Sequence, residues 1–184
     1  SDKDGNYYDY VILQESTPIA LLDLETYRKN LKMLVDKIHK NRPDTAVYVY
    51  QGTSPAEYKD SDYTTSYEEL RKNALLAAVF IKNAGILKMG DAVKDAYDGK
   101  FGYNYLVNNK DNLRYGKNTL HLINDGGFLQ ATLMYTTLFD KKPKIPKKLL
   151  LSTGIKNSDD MRKQEVVKTI SNSKALSDIA FNNR

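Results

Sequence analysis

Apolar positions along this chain fall into two patterns, short continuous runs and longer runs spaced three or four apart. Tyr8-Asp9-Tyr10-Val11-Ile12-Leu13-Gln14 is nearly unbroken and rich in β-branched and aromatic residues. It predicts a strand covered on both faces, as in a parallel sheet. Pro18 is expected to interrupt the chain. Leu24, Tyr27, Leu31, Leu34, Val35 and Ile38 then mark one face of a helix, which Asn41-Arg42-Pro43-Asp44 should stop. Thr45 to Tyr50 reads as a second strand and Gly52 to Thr65 as a polar loop. Ser66 with Glu69 has the spacing of a capping box for a helix to about Asn83. Gly85 ends it, Ile86 to Met89 forms a third strand, and Gly90-Asp91 opens a helix to about Tyr97.

A long Asn- and Tyr-rich stretch follows, from Gly99 to Asn118. Asp125 is expected to cap a helix from Gly126 to Phe139. A basic, proline-containing loop leads to Ser158, the expected cap of a last helix to Ile170, with Ser171 to Arg184 as a frayed helix or tail. Strands alternating with helices predict βαβ units, a parallel sheet and right-handed crossovers. Neither a repeat nor a linker divides the 184 residues, so a single domain over 1–184 is expected.

Composition narrows the chemistry. Hydrophobic residues at 41% and charged residues at 28% suit a globular core. No apolar run approaches ~18 residues, so no membrane span is expected. Cysteine is absent and histidine occurs twice, which removes thiolate and multi-histidine metal sites and leaves no cofactor or metal to predict. The net charge is +5, with Lys and Arg spread along the chain apart from Lys141 to Lys148. Specific nucleic-acid binding is therefore not expected. P-loop, GxGxxG and HExxH patterns are missing.

Candidate chemistry lies beyond the carboxyl ends of strands, where open α/β sheets place ligands. Gln14-Glu15-Ser16, Tyr50-Gln51-Gly52 and Met89-Gly90-Asp91 stand there. Gln14 offers an amide N–H suited to an oxyanion hole, or to a neighbouring loop. Glu15 reads as a carboxylate behind it or as a solvated one. Ser16 lacks the glycine elbow of a nucleophile. Gly90-Asp91 reads as a helix start without chemistry. His121, on a loop ahead of a helix, suits a general base or a local packing role. His39, in a last helical turn, reads as structural. Tyr103, Tyr105 and Tyr115 suit either a sugar-facing rim or loop packing.

Three blocks carry a family resemblance: Tyr8 to Ser16 (YDYVILQES), Gly85 to Tyr97 (GILKMGDAVKDAY) and His121 to Phe139 (HLINDGGFLQATLMYTTLF). Their order and spacing resemble the SGNH (GDSL-type) hydrolase superfamily, in a bacterial, often secreted carbohydrate-esterase branch, over residues 7 to 170. The resemblance implies a flavodoxin-like three-layer α/β/α sandwich with a five-stranded parallel sheet. It implies a secreted or cell-envelope protein and an acylated carbohydrate or small ester as substrate. His121 would be the base and Gln14 the oxyanion donor.

Two departures follow from the same comparison. The family's orienting aspartate is replaced by Asn118, whose amide supplies no charge to an imidazolium and can hold the wrong tautomer. That substitution costs ~10⁴ in kcat in a well-studied triad. The nucleophile block, a strand ending in G-[DN]-S, has no counterpart in Ser1 to Tyr7. Lys148 to Gly154 follows the histidine helix and matches the family's ordinary C-terminal segment rather than a permuted first strand. An N-terminally incomplete chain is therefore expected, with Tyr10 to Leu13 as an apolar edge. A second chain or strand exchange would supply the serine. The alternatives are a catalytically inactive carbohydrate-binding or interaction module in the same fold, and a basic protein for an anionic polymer.

Overall fold

The computed structural model describes residues 5–54, 61–115, 120–145, 149–152, 164–167, 170 and 172–184. At its centre β1 (Tyr10–Leu13), β2 (Ala46–Tyr50) and β3 (Gly85–Leu87) form a parallel sheet in that order. Val11 pairs with Val47, and Val49 lies between Leu13 and Ile86. Because strand side chains alternate, Leu13, Val47, Val49 and Ile86 enter one apolar layer, while Ile12, Tyr50 and Leu87 enter the other. The near-continuous apolar runs of the sequence thus have their cause: both faces are covered.

The first layer is built by α1 (Thr17–Leu22), α2 (Leu24–Asn41) and α3 (Ser61–Ala78). Tyr27, Leu31 and Val35 of α2 are buried at four-residue spacing against Leu70, Ala74 and Ala77 of α3. The second layer is built by α4 (Met89–Tyr97), α5 (Asn124–Phe139) and α6 (Ser173–Asn182). Leu129 and Leu133 of α5 meet Leu176 and Ile179 of α6, all fully buried. The protein is a three-layer α/β/α sandwich on a parallel sheet. Two small antiparallel pairs accompany it: β4 (Leu106–Val107) with β5 (Lys110–Asp111), and β6 (Leu149–Ser152) with β7 (Gln164–Val167). Asn108 and Asn109, both at positive φ, make the tight turn of the first pair. No described helix is long and apolar enough to cross a membrane.

Several boundaries differ from expectation. Pro18 does not interrupt the chain but lies in the first turn of α1, where its missing N–H costs nothing. Ser66 is not a cap. Helix α3 already begins at Ser61, and neither Gly nor Pro lies between there and Ala78 to break it. It stops at Ala78 rather than near Asn83, which has left-handed φ. Residues 164–167 form strand β7, not helix, as their Val-Val content favours; Ser158 lies outside the described residues. Of the two expectations for Ser171 to Arg184, a frayed helix or a tail, the structure has a helix, α6, whose Leu176, Ile179 and Ala180 form a buried apolar face at helical spacing.

On the second face Gly85 has a specific cause. A Cβ there would stand 2.5 Å from the ring of Tyr48, its cross-strand partner. The glycine leaves room for that ring. At the sheet's other side β1 is an edge among the described strands, with Tyr10 43% exposed and Val11 to Leu13 half-buried.

Candidate functional site

The His121 loop is built by backbone pairing. Tyr115 N–H donates to the His121 carbonyl at 3.0 Å, Ile123 N–H to that of Leu113 at 2.9 Å, and Asp125 N–H to that of Asn112 at 3.2 Å. Arg114 and Leu122 form an isolated antiparallel bridge. His121 is therefore presented, exposed, from a two-sided hairpin-like support immediately before α5. Gly126 locks this support onto the helix. A Cβ at that position would approach the Leu113 carbonyl oxygen to 2.2 Å, inside any real contact. Only glycine lets the first turn of α5 press on the segment that holds His121.

The loop is tied to the sheet through Arg114. This buried residue donates from its guanidinium to the Ser54 carbonyl, just beyond the carboxyl end of β2, and stacks 5.2 Å over Tyr97. Gln14 follows β1 directly and is exposed on the same carboxyl edge. Behind it, Glu15 accepts from Ser16 N–H at 2.7 Å and from the Asn30 amide at 2.9 Å, joining β1 to α2. Ser16 precedes α1 and serves as its first flanking residue. His39 Nε2 lies 3.0 Å from the Thr45 carbonyl, a link between α2 and the approach to β2.

Asp125 does not cap α5. The helix starts one residue earlier, and the Asp125 side chain is buried in its first turn, accepting from the Tyr103 hydroxyl at 3.0 Å. Burial pushes the Asp125 carboxyl up, against the hydrogen bonds of Asn112 and Tyr103. Burial and the neighbouring Asp125 raise Tyr103 as well. Tyr103, only 4% exposed, is thus an interior partner and not part of a substrate rim. Tyr105 is half-buried, edge-on to Tyr97 with ring centroids 4.9 Å apart. Tyr115, 76% exposed, is the member of the trio that stands open beside His121. Asn118 lies outside the described residues.

The second cluster on this edge was only half legible. Gln51, buried, donates from Nε2 to Asp91 Oδ1 at 2.7 Å, the Tyr67 hydroxyl donates to the same oxygen at 2.7 Å, and Arg71 Nε stands 3.3 Å away. Gly90 makes this possible, since a Cβ there would meet the Gly52 carbonyl oxygen at 2.6 Å and Gln51 Nε2 at 2.9 Å. Asp91 was expected only to open a helix. It sits in the first turn of α4, favoured by the helix dipole, and also fastens α3 to the carboxyl edge. The strand-end position of Gln51 was its sequence signal; nothing local pointed to Tyr67, Arg71 or Arg114. A cleft of about 790 Å³ opens beside Asp91, with Tyr67, Arg71, Leu75 and Asp95 among its walls. Among the described residues no three His, Asp or Glu side chains converge as metal ligands would.

These features define a class: an α/β/α sandwich presenting a loop-borne histidine and strand-end amides on the carboxyl edge of its sheet. No family model and no curated protein matches the chain. A crystal structure of a DUF4886 family protein from Bacteroides uniformis is similar, with a TM-score of 0.66 at 18% identity. The likeness covers 97% of this chain and 63% of that one, so this chain spans less than two thirds of the solved structure's length. At that identity the likeness establishes the fold.

Proposed function

We propose that the protein belongs to an SGNH-type serine esterase that removes acetyl or other short acyl groups from a carbohydrate or cell-envelope polymer. One observation carries the reading: an exposed histidine, on a loop braced by Gly126 and Arg114, stands at the carboxyl edge of a parallel α/β/α sheet. In this reading a serine hydroxyl attacks the ester carbonyl and His121 takes its proton. The Gln14 amide N–H donates to the oxyanion. His121 then protonates the departing alkoxide, and water repeats the sequence on the acyl-enzyme. In the sequence resemblance Asn118 replaces the family's charged orienter, so turnover is expected to be slow.

The serine comes from a strand pairing along the outer edge of β1, either from a further segment of the same protein or by strand exchange with a second chain. Half-exposed Val11 to Leu13 and the greater length of the solved neighbour support this arrangement. A fluorophosphonate probe tests it. A covalent adduct on serine that disappears in His121→Ala is expected; an unreactive protein would overturn the proposal.

The second reading is a catalytically inactive carbohydrate-binding module. It is favoured by Tyr115, an open aromatic face beside His121, and by Asn118. It predicts saccharide binding that survives His121→Ala and weakens in Tyr115→Ala.

A further inference from the structure

We propose that the end of α5 remote from His121, with Lys141, Lys144 and Ile145 just after it, docks the protein on an anionic phospholipid surface. Helix α5 crosses the sheet. Near its middle Gln130 donates to the Tyr50 hydroxyl, at the carboxyl end of β2. At its end Phe139 lies edge-on to Tyr10, at the amino end of β1, with centroids 6.3 Å apart. Whatever binds beyond Phe139 therefore leaves the His121 edge unobstructed.

Exposed apolar and cationic side chains follow one another over residues 139–145. Phe139 is 51% exposed and Ile145 38% exposed. The Lys141 ammonium stands 5.9 Å from the Tyr135 ring centroid and 6.0 Å from that of Phe139. Lys142 is committed to Asp178 at 2.5 Å, as is Lys174 at 2.8 Å. Lys141 and Lys144 are exposed, and neither is in an ion pair among the described residues. A hydrated polyanion would use the ammonium groups and leave the ring and Ile145 in water. A phospholipid surface uses both: its phosphates meet the ammonium groups while Phe139 and Ile145 enter the boundary between headgroups and acyl chains. The pairing of charge with exposed apolar tips selects lipid.

Sedimentation with phosphatidylcholine vesicles, with and without phosphatidylglycerol, tests the proposal. Binding to the phosphatidylglycerol vesicles alone, weakening as salt rises, is the expected result. Lys141→Ala with Lys144→Ala should lower the partition coefficient by roughly thirtyfold. Ile145→Ser, a change outside any helix, should lower it by several fold, and Phe139→Ser should lower it further if circular dichroism shows α5 intact. Absence of binding to phosphatidylglycerol vesicles overturns the proposal. So does soluble polyphosphate binding as tightly as vesicles with no loss in Ile145→Ser, which would make a hydrated polyanion the partner.

Discussion

The two layers flanking the sheet are built on different principles. The layer of α1 to α3 is aliphatic apart from Tyr27: Leu31, Val35, Val47, Val49, Leu70 and Ala74 meet with few polar groups, Asn73 among them, its amide donating to the carbonyls of Ala20 and Leu21. The layer of α4 to α6 has an apolar centre of similar size but threads polar contacts through it. Asp125 with Tyr103, Arg114 with Ser54, and Thr136 with the Leu133 carbonyl are all buried there. Buried polar groups hold only if their partners are placed. The second layer therefore fixes positions as well as excluding water, and it is the layer that carries the His121 loop.

The comparison is broken most strongly at the apolar centres. Leu133→Ala in the second layer and Leu31→Ala in the first should each cost about 2–5 kcal/mol in urea unfolding. Equal losses with a single transition would show that the layers unfold together; a separate early transition for one would show that they do not.

Alkaline titration touches both layers at once. Burial pushes Tyr27, in the first layer, and Tyr50, in the second, up to about 12. Glu15 adds to the rise at Tyr27, and the Gln130 hydrogen bond opposes it at Tyr50. A folded-state value above that of the unfolded chain means the native form holds its proton longer. The stability this confers is complete below pH 10 and is lost as pH rises from 10 to about 12. The loss is on the order of 2 kcal/mol for each residue. Unfolding followed across that range should flatten in Tyr27→Phe, and less cleanly in Tyr50→Phe, which also strands the Gln130 amide.

A smaller effect sharpens the contrast at the junction of α5. Gly126→Ala forces the helix away from the Leu113 carbonyl and should cost about 1–3 kcal/mol. Hydrogen exchange should rise at the Tyr115 and Ile123 amides, which hold the His121 loop, while α2 stays protected. Uniform loss of protection would mean that the junction has no local role.

The same contrast explains what could be read from the sequence. The first layer follows the four-residue spacing of Tyr27, Leu31 and Val35 and the unbroken strands at Val11 and Val47, because burial alone dictates those residues. The α/β class and the parallel sheet follow from strands alternating with helices, while the three-layer arrangement is implied by the family resemblance. The second layer resists such reading. Asp125 looks like a cap because its spacing suits one, yet its partner is Tyr103, 22 residues earlier. Arg114 meets Ser54 across 60 residues, and Gln51 meets Asp91 across 40. Contacts that distant leave no periodicity. The exposed positions of His121 on a loop and of Gln14 beyond a strand were legible, the first because few histidines exist to choose among and the second because an apolar run ends there. Tyr103 was not, since an interior tyrosine and a rim tyrosine look alike in an Asn-rich stretch.

The most direct measurement is hydrolysis of an aryl acetate by the protein and by its His121→Ala variant, at matched helical circular dichroism. The account predicts slow turnover in the first and a further loss of roughly 10²-fold in the second, because Asn118 already forgoes much of the triad's contribution. Equal rates in the two, or no turnover in either, would contradict it.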